Sequence, residues 1–531
     1  MFLLTLVGSA LAGAPLAHCE LGLDSQPLPT LEGEPVEVAT PLGSLRGRHL
    51  DEADVDAFVG IPYAHVTKRF HPAEPATPWQ DVRAADTFGP ACLQVNSRMY
   101  ASDFAKQSED CLSLNVWTPA VDDAARPVIV WIHGGGWLTG SNLDPLYYQD
   151  RLAARGQVVV VSINYRLGPF GFSQVDGLDG SGNLGLLDQR EALRWVRDNI
   201  AAFGGDPANI TLLGQSAGAM ATLLHVAEHG DEGLFVRAAA GSGGLDKVRQ
   251  PAYAAAVTRE LDARVDGGLA AAPACAVLDA LQELSGDVAE PGLLFGPVND
   301  GIVVHGLPLP RLAGGEVQGV PLLLGFTRDE ASYFTDPVGA LSFVPTRLAL
   351  GFLPALSRAL GDRRRDAIRT FRKDLGVRPV RARTTEMISD ATFRMPVLAV
   401  ADAMAPRVPV WVYRFDQPVV GRGGKLGATH GADLGALSDH EDGWTDLYGD
   451  EQLPDVVVHG LQDAVIHFAR TGDPNHDGLP DWPRYDLQRR AILRLSTDPA
   501  ILDDPYAGHR PAWVGIPFDG SVLHAIPEDV E

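Results

Sequence analysis

Ser216 lies between two glycines in Gly214-Gln215-Ser216-Ala217-Gly218. An apolar run ending at Leu213 precedes this pentapeptide, and a helix-forming run, Ala219-Met220-Ala221-Thr222-Leu223-Leu224, follows it. That context fits a sharp strand-to-helix turn. The glycines leave room for a strained serine backbone, and the hydroxyl is held clear at the sheet edge, near the positive end of the helix. Upstream, His133-Gly134-Gly135-Gly136-Trp137 directly follows the apolar run that ends at Ile132. Consecutive glycines let backbone N–H groups converge. Gly135 and Gly136, with Ala217, would offer three donors to a developing oxyanion. Each motif alone is weak, since the serine pattern recurs by chance and glycine runs make ordinary turns. Paired, they point to acyl transfer.

A serine hydroxyl is a weak nucleophile and needs a base oriented by a carboxylate. For a strand-turn-helix serine the chain order is Ser, acid, His. Seven histidines follow Glu330: His430, His440, His459, His467, His476, His509 and His524. Order does not choose among them. His430 lies in a loop of small residues, Gly427-Ala428-Thr429-His430-Gly431-Ala432, which suits an exposed imidazole. Asp329 and Glu330 both follow the Leu322-Leu323-Leu324 run, and motif logic leaves them tied as the acid.

These residues need elements to position them. Short β-branched or apolar runs bounded by turn signals predict strands at Pro127–Ile132, Val158–Val161 continuing to Asn164, Ile210–Leu213, Val320–Leu324 and Val410–Phe415. The first four are apolar on both faces, as in a mostly parallel sheet covered on both sides. A helix is expected from about Asp188 to Phe203, with Ala192, Leu193, Val196, Ile200 and Phe203 on one face and Gly204-Gly205 as the stop. Strand, helix, strand is the pattern of an α/β fold.

The chain has 531 residues, 45% hydrophobic and 21% charged, an ordinary globular composition. It shows no internal linker, low-complexity tract or repeat. One domain over residues 36–531 is the expectation. The net charge of -25 argues against nucleic-acid binding, which needs a basic face. Such charge serves solubility first, although an acidic field could steer cationic substrates. The apolar start, MFLLTLVGSALAGAPLA, is too short for a membrane span and reads as a signal peptide over residues 1–18, without a basic n-region. Residues 19–35 read as a flexible segment. Cys19 follows Leu16-Ala17-His18, a pattern close to a lipoprotein box, which raises an acylated anchor against a soluble secreted or periplasmic form. In an exported chain a disulfide is expected. Cys92 and Cys111 flank a short polar loop and are the best pair, while Cys275, in an Ala-rich helical stretch, reads as a buried thiol. No cysteine has metal-site spacing with histidine, so neither a metal nor an organic cofactor is expected.

The sequence also carries Phe58-Val59-Gly60-Ile61-Pro62-Tyr63-Ala64, Glu109-Asp110-Cys111-Leu112-Ser113-Leu114-Asn115-Val116-Trp117, Asn164-Tyr165-Arg166-Leu167-Gly168, Gly182-Asn183-Leu184-Gly185, Phe203-Gly204-Gly205-Asp206-Pro207 and Phe468-Ala469-Arg470-Thr471-Gly472-Asp473-Pro474. With the serine and glycine motifs, these ordered matches make the chain resemble the type-B carboxylesterase family, the cholinesterase-like branch of the α/β-hydrolases. The likeness runs from about Val36 to Trp513. It implies an α/β-hydrolase fold with long insertions, a small-molecule ester substrate and a Ser216–His430–Glu330 triad, placing the acid on Glu330 and the histidine on His430, with Asp433 as the acidic residue beyond. It also implies the Cys92–Cys111 disulfide and leaves the family's second disulfide, through Cys275, without a partner. Asp110 and Arg166 fall on structural ion pairs, and Ser242 on a serine beside the triad.

The pattern departs from the family in three places. Gln215 replaces the usual Glu before the nucleophile. No tryptophan platform for a quaternary ammonium lies upstream of Cys111, where Tyr100 is the nearest aromatic residue. Both features argue against choline esters. The usual double proline is missing after Ala64, so the loop from His65 to Lys68 should be reshaped. Gln215 and Trp137 are candidates for the substrate pocket. An alternative is a lipase-like preference, with Trp137 and the loop from Pro337 to Leu356 (Phe343, Leu348, Phe352, Leu353) forming an apolar pocket or lid. A non-catalytic scaffold of the same fold would have lost the nucleophile or the histidine, and here every triad position is filled.

Overall fold

The computed structural model describes residues 27–95, 106–229, 233–287, 294–317, 319–335, 364–375, 380–440, 444–449 and 451–516. The strands that matter are β1 (Pro35–Thr40), β2 (Gly43–Leu50), β3 (Val55–Pro62), β4 (Ser113–Thr118), β5 (Arg126–Ile132), β6 (Val159–Ile163), β7 (Gly205–Gln215), β8 (Arg237–Gly241), β9 (Leu322–Thr327), β10 (Val410–Phe415), β11 (Ala491–Leu495) and β12 (Ala500–Asp503). They form one sheet in the order β1-β2-β3-β4-β6-β5-β7-β8-β9-β10-β11-β12, with the two-residue strand Arg83–Ala84 beside β2. The run from β6 to β11 is parallel, and the strands at both margins are antiparallel. The sheet is therefore mixed at its edges and parallel at its centre, with the α/β-hydrolase architecture.

Side chains alternate across a strand, so each central strand feeds two cores. From β5, Val128, Val130 and Ile132 join Leu193, Val196 and Phe203 in one layer. Ile129 and Trp131 join Leu461, Val465 and Phe468 in the other. The helix read from the sequence is α1 (Leu184–Asn199), continued by a 3-10 turn at Ile200–Phe203 and ended by Gly204 at φ +79°. All five expected strands form. Their apolar runs are legible because both faces are buried. β8, Arg237-Ala238-Ala239-Ala240-Gly241, went unread because alanine is a poor strand former. Its small side chains lie beside α2 (Ala217–His229).

Cys92 and Cys111 form a disulfide with Cα atoms 5.0 Å apart. Cys275, in α3 (Ala274–Asp287), is only half-buried and also disulfide-bonded, so the expected buried thiol is incorrect. The Ala-rich helical setting of Cys275 is legible in the sequence, and its bond is not. Arg166 pairs with Asp188 at 2.6 Å in the interior, and Asp110 faces His65 at 3.6 Å near the surface. After Ala64 the chain makes a two-residue pairing of Ala64–His65 with Glu74–Pro75. No helix among the described residues is long and apolar enough to cross a membrane.

Candidate active site

Parallel register brings four strand ends to one edge. Gln215 of β7 lies opposite Gly241 of β8, Gly241 opposite Gly325 of β9, and Thr327 opposite Phe415 of β10. Just beyond these carboxyl ends come Ser216, Ser242, Glu330 and the loop that carries His430, at the edge where open α/β sheets present their chemistry.

Ser216 has φ +57°, a left-handed conformation that costs a non-glycine residue on the order of 1–3 kcal/mol. Its N–H donates to Gly241 O at 2.8 Å, and α2 starts at the next residue. The turn tolerates no side chain at its flanks. A Cβ on Gly214 would meet Gly218 O at 2.3 Å, and one on Gly218 would meet Ile132 O at 2.0 Å. Ser242 repeats the conformation one strand over, with φ +57° and its N–H donating to Gly325 O at 2.8 Å.

Glu330 is fully buried and its carboxylate accepts from three donors. Oε2 receives His430 Nδ1 at 2.6 Å. Oε1 receives the Ser242 hydroxyl at 2.6 Å and the Thr327 N–H at 2.8 Å. A carboxylate is acceptor-only, so this contact assigns the proton to Nδ1 and leaves a lone pair on Nε2 of a neutral imidazole. Nε2 faces the Gln215 amide nitrogen at 3.5 Å. The imidazole packs against Phe393 (ring centroids 4.3 Å) and Phe334 (5.4 Å). No hydrogen bond joins Ser216 Oγ to His430 among the described residues; such bonds are often long without substrate and tighten when it binds. Asp329, the competing acid, turns away: its Oδ2 accepts Ala428 N–H at 2.9 Å and Arg328 at 2.8 Å.

The glycine loop after β5 lies against the serine turn. A Cβ on Gly134 would stand 3.1 Å from Ser216 Cβ. Gly135 and Gly136 have φ +106° and +63°. The family model described as "Carboxylesterase family" matches residues 34–513. The chain belongs to the carboxylesterase family. It is 36% identical over 496 residues to para-nitrobenzyl esterase of Bacillus subtilis, covering 89% of this chain and 97% of that protein. It is 35% identical over 470 residues to phenmedipham hydrolase of Pseudarthrobacter oxydans, covering 83% and 92%. A crystal structure of a Geobacillus stearothermophilus carboxylesterase superposes with a TM-score of 0.80 at 35% identity, covering 90% of this chain and 99% of that one. The protein is a carboxylic ester hydrolase of the serine type.

The remaining expected residues of the esterase are placed as follows. Gln215 is buried and shares a small cavity with Trp131, Tyr413 and Asp433 behind the serine turn. Trp137 is buried too, packed edge-on against Phe172 and Tyr165. The loop from Pro337 to Leu356 lies outside the described residues, as do Cys19, Tyr100 and His524. Of the other histidines, His440 bonds Asp150 at 2.7 Å, His476 bonds Gly460 O at 3.2 Å, His467 packs against His476, and His509 bonds Asp390 at 2.8 Å. Phe334 and Phe393 were not read from the sequence. Phe334 stands four residues past Glu330, a helical spacing that could have suggested it; nothing local marks Phe393.

Two buried groups shape the electrostatics. Burial and the nearby Glu330 charge push the Asp433 carboxyl up to about 6, against a hydrogen bond from Tyr413 (3.0 Å) and the pull of His430. Burial pushes the His133 imidazole down to about 4, which keeps it neutral at neutral pH. Glu386, Asp390 and His509 bring ligand-type atoms within 4.8 Å of one another. The Arg394 guanidinium already supplies the cation there, bonding both acids.

Proposed function

We propose that the esterase works through Ser216 as nucleophile, His430 as general base and Glu330 as the acid that orients it. Nε2 takes the hydroxyl proton as Oγ forms a bond to the ester carbonyl carbon. The N–H groups of Gly135, Gly136 and Ala217 hold the oxyanion. His430 then returns the proton to the leaving alcohol as the ester C–O bond breaks. Water repeats the cycle on the acyl-enzyme, releasing the acid and restoring Ser216. Ser242 holds the carboxylate of Glu330 from the far side. The observation that carries this reading is the 2.6 Å contact between His430 Nδ1 and a fully buried Glu330, at the same sheet edge as a serine with positive φ.

The substrate class that fits best is a small uncharged carboxylic ester. The residue beside the nucleophile is a neutral amide, Gln215, where a carboxylate would attract a cationic alcohol. Ser216→Ala should abolish turnover of a para-nitrobenzyl ester and labelling by a fluorophosphonate, while the wild type cleaves short acyl esters faster than long ones. Retained hydrolysis in the variant sinks the assignment, and a long-chain preference sinks the substrate class. We propose further that residues 36–531 act as one domain, since a single sheet takes strands from Pro35 to Asp503. The disulfide favours an exported enzyme. Cell fractionation tests export.

A further inference from the structure

The two peptide groups proposed as oxyanion donors are held from behind. In a trans peptide the C=O and the following N–H point in opposite directions, so fixing one aims the other. Gly135 O accepts from Leu138 N and Thr139 N, both at 3.1 Å, and from the Thr139 hydroxyl at 3.2 Å. That fixes the direction of the Gly136 N–H. Gly134 O accepts from His133 Nδ1 at 2.9 Å, which fixes the Gly135 N–H. The His133 ring is itself clamped. It stacks on Tyr165 with centroids 4.4 Å apart, and the Tyr165 hydroxyl donates to His133 O at 2.9 Å.

The last wall of this clamp is Gly140. A Cβ there would meet His133 Nδ1 at 2.4 Å and Gly134 O at 2.7 Å, so the Gly140 backbone lies beside the hydrogen bond that aims Gly135, with no room for a side chain between them. What holds Gly140 is a side chain from another part of the chain. The Gln94 amide takes the Gly140 N–H on Oε1 (2.8 Å) and donates from Nε2 to Gly140 O (2.9 Å), satisfying both backbone groups as a strand partner would. Nε2 also donates to Cys92 O at 3.0 Å, and Gln94 N–H is held by Gln107 Oε1 at 2.8 Å. Gln94 is 2% exposed, so water does not substitute for these bonds.

We propose that Gln94 is a positioning residue for ester hydrolysis: its amide ties the disulfide-closed segment from Cys92 to Cys111 to Gly140, and through His133 and Gly134 fixes the direction of the Gly135 N–H. The inference rests on the assignment of Gly135 and Gly136 as oxyanion donors. A loosened Gly140 lets the Gly134–Gly135 peptide rotate, which weakens stabilisation of the transition state and leaves ground-state binding in place.

The test is Gln94→Met, which keeps the side-chain length and removes all three amide hydrogen bonds, read per active site after fluorophosphonate titration. A fall of about tenfold or more in kcat is expected, on the scale of a misaligned donor, with KM changed less than about threefold. Affinity for a trifluoromethyl ketone, which forms the tetrahedral adduct, should fall in parallel with kcat. Unchanged kcat per titrated site, with ketone affinity equal to wild type, overturns the inference. A wild type that itself fails to bind the ketone overturns the oxyanion assignment and this inference with it. Gln94→Glu supplies a second readout should the Met variant fold poorly. An ionised carboxylate repels Gly140 O, whereas a protonated one can both accept and donate. The variant-to-wild-type ratio of kcat should therefore rise as pH falls, and a flat ratio counts against the proposal.

Discussion

Asp433 shows how a single buried side chain ties the site to stability. It is 3% exposed, three residues past His430, and its Oδ1 has no hydrogen-bond partner among the described residues. With its carboxyl held at about 6 in the folded state, against 3.8 as the ordinary value, the folded protein keeps a proton that the unfolded chain releases. Its contribution to stability is thus fully present below 3.8 and is lost as pH rises through about 6, a swing on the order of 3 kcal/mol. Asp433→Asn keeps an acceptor for the Tyr413 hydroxyl and removes the titration. The variant should gain stability relative to wild type between pH 4.5 and pH 8, by urea unfolding. A gap that stays constant across that range refutes the buried-charge account. The same neighbourhood shows what residue types alone could decide. Motif logic leaves Asp329 and Glu330 tied because both lie within three residues of the end of β9. What separates them is side-chain direction: Asp329 reaches out to Ala428 and Arg328, while Glu330 reaches inward to His430 and Ser242. Both lie in the turn after β9, outside the alternation of the strand, so which carboxyl faces inward is set by the conformation of the turn and the contacts it makes far along the chain.

At the scale of elements, the most informative one is irregular. Between α4 (Val380–Ser389) and α5 (Met395–Met404) the chain makes a π-helical turn, Asp390–Arg394, a form found mostly at functional sites. This turn delivers Phe393 to the His430 ring. It is pinned at both ends. Asp390 Oδ2 accepts from His509 Nδ1 (2.8 Å) and Trp513 Nε1 (3.1 Å), Oδ1 pairs with Arg394, and Arg394 donates to Arg328 O at 2.8 Å. Burial alone would raise the Asp390 carboxyl; the Arg394 cation and the His509 and Trp513 donors outweigh it and hold it below the usual range. Burial alone would lower the His509 imidazole, and the Asp390 carboxylate outweighs that and raises it. The charged pair thus adds stability that is complete between the ordinary values of 3.8 and 6.5, fades as pH rises through the raised value for His509, and is lost as pH falls through the lowered value for Asp390. Breaking a buried pair of this kind costs about 3 kcal/mol. His509→Ala should lose about that much at pH 6 and distinctly less at pH 9, with kcat reduced through Phe393. An equal loss at both pH values in urea unfolding contradicts the charged-pair reading. None of this is legible in the sequence, because a π turn has no periodicity of its own and the Asp390 partners His509 and Trp513 lie over a hundred residues away. The regular strands are legible for the converse reason, since β5, β6, β7, β9 and β10 each carry a short run rich in apolar or β-branched residues.

For the whole molecule, a net charge of -25 and a disulfide are the two global features the sequence displays, and they act differently. The charge is the excess of 68 acidic over 43 basic side chains, and ion pairs such as Arg155–Asp463 and Arg489–Asp503 are neutral as pairs and each is worth little on its own. The disulfide is local, with a separation of 19 residues, yet it closes the segment that carries Gln94 and Gln107. By chain entropy a closed loop of that length stabilises the fold by about 3 kcal/mol. Stability and activity should therefore fall together when it is removed. The double variant Cys92→Ser, Cys111→Ser leaves the separate bond at Cys275 in place, so it isolates this one crosslink where a reducing agent would not. It should unfold at lower urea concentration by an amount corresponding to about 3 kcal/mol. Because Cys92 O and the Gln94 amide share a hydrogen bond, it should also lose kcat per titrated active site while Ser216 remains open to fluorophosphonate. A variant that loses stability with unchanged kcat would confine the disulfide to a structural role, and the chain from Cys92 through Gln94 to Gly140 would then carry no load during turnover.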